Sequence, residues 1–166
     1  IKMVVDEVER METGPLEIVR AGENDADLVA IMVHRLLHEI GAWHGAPDDE
    51  RIHAVCRQLL EEDNQFSALL AFDMERRPVG VMTLTEAVAI YAEGRLGIIM
   101  ELYVVPDARS AGIGDRLIQE ARQIGKSRGW KLLEVNSPDG EEWTRTRAFY
   151  ERQGFRHVGP FMKLEL

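Results

Sequence analysis

The chain has 166 residues, 45% hydrophobic and 30% charged, a balance that predicts one folded domain with a substantial core. No apolar run approaches the roughly 20 residues that a membrane helix needs, and no basic-then-apolar signal pattern opens the chain, so we expect a cytoplasmic protein without a membrane partner. A net charge of −9 argues against nucleic acid as a partner.

The acidic excess lies entirely in the first part of the chain. Residues 1–66 carry 15 acidic and 6 basic side chains, whereas residues 67–166 carry 14 of each. An acidic surface attracts a cationic partner such as an amine, but it also simply improves solubility, and the sequence favours neither explanation. The single cysteine, Cys56, excludes an intrachain disulfide, and its apolar neighbours predict a buried thiol.

The N-terminal third predicts an arm, a strand and two helices. Residues 1–14 show no clear pattern, and we assign them to an N-terminal arm or leader that precedes a single domain over residues 15–166. A short strand over residues 16–19 is followed by an amphipathic helix that ends at Gly41. After a loop, an acidic first turn opens a second helix that ends near Glu62.

The middle of the chain predicts three strands. Residues 66–72 form the first of them, and after a turn Pro78 opens a long strand that runs towards Tyr91. Residues 93–94 turn the chain back into another long strand over residues 96–105. The two long strands are therefore predicted to pair antiparallel as a hairpin.

A glycine-bearing loop and a helix follow this central strand. Pro106 must end the strand because it has no N–H to donate to a sheet ladder. Apolar residues then recur at helical spacing up to Arg128, with Gly112 and Gly114 at the start. The first turn of a helix leaves N–H groups unpaired and carries the positive end of the macrodipole, so the loop is a predicted anion site. The spacing of its glycines fits neither the Walker loop nor the dinucleotide-binding loop.

The last part of the chain predicts a parallel strand, a helix and two closing strands. The strand spans residues 131–136, and the helix spans residues 142–153 and ends at Gly154. Residues 155–158 and 161–166 are expected as the closing strands. The predicted fold is α/β, a mixed and mostly antiparallel sheet of six or seven strands with helices on both faces.

Two segments resemble the GNAT superfamily of N-acetyltransferases. The run Arg109-x-x-Gly112-x-Gly114, after a strand that ends in Val104-Val105-Pro106, is similar to the coenzyme A loop of that superfamily. The run Ala148-Phe149-Tyr150 with the Gly154-Phe155 that follows it resembles the superfamily's last helix and next strand. The resemblance covers most of residues 66–166, and it implies a GNAT-like fold whose central strand, 96–105, bulges and splays from its parallel neighbour.

The resemblance implies acetyl-CoA as the cofactor and assigns roles to individual residues. Tyr150 is implied as the acid for the leaving thiolate, and Glu101 as a proton relay from the ammonium or as its counter-charge; a structural role stays open for both. Implied coenzyme-binding residues are Leu102, Tyr103, Val104, Arg109, Ser110, Ala111, Gly112, Ile113, Gly114 and Asn136. Weaker substrate-side candidates are Trp43, His44 and Glu39. The start of the last helix departs from the family, with Trp143 and Thr146 where Asn and Ala are common.

The function implied by the resemblance is direct acetyl transfer, without a covalent enzyme intermediate, to a primary amine of a small cationic molecule or to a protein amino group. The alternative is a non-catalytic acyl-CoA-binding sensor or regulatory domain. His34 and His38 invite a zinc hypothesis, but Glu39 follows the second histidine, so no His-Glu-x-x-His motif forms and we expect no metal. A homodimer stays open.

Overall fold

The computed structural model describes residues 16–41, 48–62, 64–137, 140–159 and 162–164. Within these ranges a five-stranded sheet runs in the order β1-β2-β3-β4-β5, with β1 to β4 antiparallel and β5 parallel to β4. The strands are β1 Glu17–Arg20, β2 Phe66–Phe72, β3 Pro78–Ala89, β4 Gly94–Val104 and β5 Leu132–Val135. The helices are α1 Ala26–Ile40, α2 Asp49–Glu62, α3 Ile113–Arg128 and α4 Thr144–Arg152.

Helices cover both faces of the sheet, as predicted. One face carries the α1–α2 cluster, which includes Val29, Met32, Cys56, Leu70, Val81 and Tyr103. The other face carries the α3–α4 cluster, which includes Ile99, Met82, Leu84, Leu117, Ile118 and Tyr150. Gly41 and Gly129 end α1 and α3 with φ angles of 58° and 72°, a backbone conformation that glycine adopts without strain. None of the helices in the described ranges is both long and apolar enough to span a bilayer.

A β-bulge interrupts β4 at Met100. The register pairs Thr83 with Glu101 but Leu84 with Ile99, so Met100 is the extra residue. Side chains alternate along a strand, and the extra residue shifts that alternation: Ile99 and Leu102 belong to the α3–α4 cluster, whereas Tyr103 belongs to the α1–α2 cluster. The predicted bulge of the central strand is confirmed.

Pairing between β4 and β5 ends at the bulge. The last paired residues are Ile99 and Val135, whereas β4 continues to Val104 on its β3 side. Beyond Met100, the edge of β4 that faces β5 therefore has no strand partner among the described residues. The end of pairing is compatible with the splay that the resemblance implies, and it leaves backbone groups of β4 available to a ligand.

Two predictions about the sheet are wrong. The described residues form five strands, not six or seven, and residues 155–158 form no strand. The reason lies at the end of α4, where the Phe155 N–H donates to the Tyr150 carbonyl at 3.0 Å and the Phe155 ring packs edge-to-face on Tyr150. Of the second predicted strand, residues 162–164 form none and the rest lies outside the described residues, as does the N-terminal arm.

A buried carboxylate ties β3 to the segment between α3 and β5. The Trp130 indole N–H donates to Glu86 at 2.6 Å, Arg95 forms an ion pair with the same carboxylate, and only 8% of the Glu86 side chain is exposed. The Trp130 ring lies over Gly97, where a Cβ atom would come within 2.1 Å of a ring carbon. The hydrogen bond from Trp130, followed by the contacts with Arg95, lowers the pKa of Glu86 despite the desolvation that opposes them.

We predict that Glu86→Gln lowers the free energy of unfolding by roughly 1–2 kcal/mol at neutral pH. The hydrogen bonds that Trp130 and Arg95 donate to the charged carboxylate become weaker when the acceptor is a neutral amide. A carboxyl group whose pKa is lower in the folded than in the unfolded protein stabilises the fold at pH values above its unfolded-state pKa. This stabilisation is lost as the pH falls through the folded-state pKa. The difference between the two proteins should therefore shrink below about pH 4.5, the ordinary pKa of a glutamate.

Urea unfolding at several pH values measures this difference. Glu61→Gln, at an exposed position on α2, is the matched control and should behave as wild type throughout. A Glu86→Gln effect that stays constant down to pH 3 would contradict the assignment of the effect to the carboxylate charge.

Candidate active site

Several backbone N–H groups in the loop after β4 donate to no acceptor among the described residues. Ser110 and Gly112 have φ angles of 67° and 78°, and α3 begins at Ile113 with no side-chain cap. The N–H of Arg116 donates to the Gly112 carbonyl at 3.1 Å, and this is the first hydrogen bond of the α3 helix. Within the described part of the chain, the N–H groups of residues 111–114 make no hydrogen bond. Successive open amides at a helix start form an anion site.

The two glycines of the loop have different structural roles. Gly112 is needed for its left-handed backbone, since a Cβ there would meet nothing closer than 3.9 Å. At Gly114 a Cβ would come within 2.9 Å of the Phe149 ring. Gly114 therefore lets α4 pack directly on the first turn of α3.

Arg109, which the resemblance implies as a coenzyme-binding residue, contacts protein groups instead. Arg109 donates from Nε to the Val104 carbonyl at 2.9 Å, pairs with Glu39 of α1 at 2.7 Å, and lies 5.7 Å from the centroid of the Tyr103 ring. Its charge is largely balanced by Glu39. Arg109 thus fastens the loop to β4 and α1.

A different arginine contacts the loop. Arg145, in the first turn of α4, donates to the Ser110 hydroxyl at 2.8 Å. On α3, Arg116 is exposed and forms no ion pair within the described ranges. Sequence reasoning missed Arg145 because 35 residues separate it from Ser110. The only signal was a basic residue at the start of a helix that resembles the family's last helix.

Tyr150 is held rigidly on the α3 side of the sheet. Its ring packs edge-to-face with Phe149 and Phe155 at centroid distances of 5.2 and 5.5 Å, and 8% of the residue is exposed. Among the described residues its hydroxyl has no hydrogen-bond partner, and burial raises its pKa to about 12. The phenol therefore stays protonated at any physiological pH and is available as a hydrogen-bond donor.

The end of α4 is anchored to α3, and this fixes the position of Tyr150. The side-chain amide of Gln153 donates to Asp115, and the Gln153 carbonyl accepts a hydrogen bond from Arg122. Asp115 and Arg122 lie on the same face of α3 two turns apart. The run Gln153-Gly154-Phe155 therefore closes α4 against α3.

Glu101 lies one residue after the bulge in a partly buried position. Its carboxylate accepts a hydrogen bond from the Thr83 hydroxyl, which in turn accepts from the Glu101 N–H at 3.2 Å. Burial raises the pKa of Glu101 above its usual value, and the hydrogen bond from Thr83 opposes that rise. A fully solvated strand glutamate would have neither feature.

The structure places Glu101 and Tyr150 on opposite faces of the sheet. Burial raises the pKa of the Cys56 thiol in α2, and the negative charge of Glu101 adds to that rise. Tyr103, two residues after Glu101 on β4, belongs to the α1–α2 cluster, so Glu101 faces the α1–α2 side of the sheet. Tyr150 belongs to the α3–α4 cluster. The two residues can serve one reaction only across the gap beside β4, beyond the end of its pairing with β5.

The described residues include two more of the predicted site residues, Asn136 and Glu39. Asn136 is exposed directly after β5, and the hydroxyl of the next residue, Ser137, is buried and has no hydrogen-bond partner among the described residues. Glu39 lines a cavity of about 380 Å³ between α1 and β4. Trp43 and His44 lie outside the described residues. In those ranges no group of three His, Cys, Asp or Glu side chains is arranged to hold a metal ion.

Comparisons with known proteins agree on one family. A model of the acetyltransferase (GNAT) domain matches residues 61–157, more than half of the chain. IAA acetyltransferase of Azospirillum brasilense is 32% identical over 85 residues, which are 51% of this chain and 54% of that protein. The chain thus spans about half the length of this curated relative.

Two solved structures show how far the fold is shared. One from Arthrobacter sp. FB24, described as a candidate acetyltransferase, is 32% identical with a TM-score of 0.74, covering 90% of this chain and 96% of that chain. Another from Clostridium acetobutylicum, described as a predicted acetyltransferase with acetyl-CoA, is 17% identical with a TM-score of 0.74, covering 91% of this chain and 96% of that one. At that lower identity, the likeness shows the fold alone.

We predict that Arg145→Gln weakens coenzyme A binding roughly tenfold or more, because a charge-assisted hydrogen bond to phosphate is worth about 1.5–3 kcal/mol. Titration calorimetry with coenzyme A measures the dissociation constant. Arg152→Gln, also exposed on α4 and without an ion pair among the described residues, is the control and should bind as wild type. Equal weakening by both variants would mean that only the general charge of α4 matters.

Proposed function

The chain belongs to the GNAT family of acetyltransferases, and from this premise we propose that it is an acetyl-CoA-dependent N-acetyltransferase that acts on a primary amine of a small molecule or on a protein amino group. The observation that carries the proposal is the row of amides at residues 111–114 without an acceptor among the described residues, in the loop after a strand whose parallel pairing ends at Ile99. A diphosphate at the loop and an extended arm along the strand edge fit these two features.

The direction of the N–H groups in β4 supports the placement of the arm. The N–H groups of Glu101 and Val105 both point towards β3, where they donate to Thr83 and Val79. Because N–H groups alternate along a strand, those of Leu102 and Val104 point to the opposite, unpaired edge. Leu102 N–H is our candidate donor to the thioester oxygen, and a preorganised donor of this kind is worth about 10²–10³ in rate.

Val104 offers fewer backbone groups to the coenzyme than the resemblance implies. Its carbonyl lies on the same open edge but already accepts a hydrogen bond from Arg109 at 2.9 Å. Only its N–H is left for the pantetheine arm. Arg109 therefore shapes the site by holding the end of β4, and Arg116 and Arg145 are the candidate charges for the diphosphate.

Acetyl-CoA supplies the activated acetyl group, and the residues on either side of the gap have complementary tasks. An ammonium must lose a proton before it can attack, and Glu101, with its raised pKa, accepts that proton directly or through water. The departing sulfur needs a donor, and we assign that role to the Tyr150 hydroxyl. With a pKa of about 12 the phenol is a weaker acid than a thiol, so it acts chiefly by donating a hydrogen bond.

We predict that Tyr150→Phe lowers kcat by about 10²–10⁴ and changes coenzyme affinity little, because the variant keeps the packed ring and loses only the donor. Release of free thiol from acetyl-CoA, followed across a panel of amines, gives kcat. Tyr91→Phe is the control, since Tyr91 is exposed and bonds Glu134. A protein that binds coenzyme A yet releases no thiol with any amine would be a sensor, and unchanged turnover would remove Tyr150 from the mechanism.

The raised pKa of Glu101 predicts the acid side of the pH profile. For wild type, log kcat/KM per total amine should rise with a slope of about 1 below the pKa of Glu101, which lies above 4.5, and level off above it, because only the ionised carboxylate can take the ammonium proton. Glu101→Gln should lose this plateau, since only the neutral amine then reacts and kcat/KM keeps rising up to the pKa of the amine. Glu61→Gln serves as the control, and a plateau that survives in Glu101→Gln would assign it to another group.

A further inference from the structure

A cavity of about 380 Å³ lies between α1 and the end of β4, and the proposed function leaves it without a task. Its lining residues are His34, Arg35, His38, Glu39 and Tyr103. Tyr103 follows Glu101 by two residues and shares its face of the sheet. Arg109, from the coenzyme loop, contacts both Glu39 and Tyr103. The cavity therefore adjoins the proposed reaction centre on the side away from Tyr150.

The charge at the cavity is positive once the pairing of Glu39 with Arg109 is counted, although the whole protein is acidic. Glu39 is the single acidic residue of the described lining, and Arg109 pairs with it at 2.7 Å. Arg35 forms no ion pair within the described ranges. The imidazoles of His34 and His38 are neutral or positive and never negative. One uncompensated positive charge and several hydrogen-bond donors thus face a cavity of small-molecule size.

This charge argues against the small cationic acceptor that the resemblance implies. Residues 1–66 carry the acidic excess, yet of that excess only Glu39 reaches the described lining, where its charge is already balanced. A second ammonium on the acceptor would be repelled by Arg35. An anionic group would form charge-assisted hydrogen bonds with it.

We infer that the acceptor is a primary amine that also carries a carboxylate, and that Arg35 of α1 recognises this carboxylate in the cavity between α1 and β4. The Tyr103 hydroxyl and the two imidazoles are further donors to it. The inference rests on the proposed acetyl transfer and specifies its substrate class. It makes Arg35 a specificity-determining residue outside the reaction centre.

Matched acceptors test the inference. Thiol release from acetyl-CoA is measured with amino acids and with the corresponding carboxamides, and rates are compared per concentration of neutral amine because the two amines differ in basicity. For the amino acid that reacts best, we expect kcat/KM to be about tenfold to a hundredfold higher than for its carboxamide. This ratio corresponds to the free energy of one charge-assisted hydrogen bond. Arg35→Gln should remove this preference through the acceptor KM and leave the KM for acetyl-CoA unchanged.

Arg51→Gln on α2 is the matched control, because Arg51 is also an exposed helical arginine whose side chain has no ion pair among the described residues. A readout without turnover uses the reaction products. The histidine NMR signals of His34 and His38 should shift with an N-acetyl amino acid and much less with its carboxamide, and Arg35→Gln should abolish the difference.

The outcomes separate the inference from the function on which it rests. If amines are acetylated but acids and carboxamides react alike, the inference is wrong and the acetyltransferase stands. The same holds if Arg35→Gln raises the KM for acetyl-CoA instead of that for the acceptor, since the cavity would then serve the coenzyme. If no acceptor releases thiol while coenzyme A binds, the proposed function fails and the inference fails with it.

Discussion

The bulge at Met100 is the constraint on which the rest of the site depends. One extra residue in β4 turns Glu101 and Tyr103 towards α1 and α2, while Leu102 and Val104 keep their side chains in the α3–α4 cluster. The same irregularity coincides with the end of β5 pairing at Ile99. A regular strand in this place would offer no free edge for a ligand. It would also exchange the faces of the sheet to which the side chains of residues 101–104 point.

The second constraint is the direct contact between the anion loop and α4. The Phe149 ring packs on Gly114, and Arg145 bonds the Ser110 hydroxyl in the loop. The other end of α4 is held by Gln153 between Asp115 and Arg122. Tyr150 lies between these anchors, so the position of its hydroxyl is coupled to the position of the loop. A single rigid unit therefore holds both ends of the proposed coenzyme site.

Local signals predicted the elements and most of their ends. Pro106 stops the central strand, which ends at Val104, and Gly41 and Gly129 end α1 and α3 with left-handed backbones. Contacts between distant residues escaped prediction. The bulge position depends on the register with β3, the pairing of Arg109 with Glu39 joins residues 70 apart, and the strand expected after Gly154 is lost because Phe155 is committed to the end of α4. These features are set by packing, which periodicity does not encode.

The central claim is that a diphosphate binds the amides that open α3 while the arm attached to it follows the free edge of β4. Titration of the ¹⁵N-labelled protein with coenzyme A, followed by amide chemical shifts, measures both parts at once. We expect the largest shifts at residues 111–114, with a second set at Leu102 and Val104 and little change at Glu101 or Val105, whose N–H groups face β3. Saturable binding that leaves residues 111–114 unshifted would contradict the account.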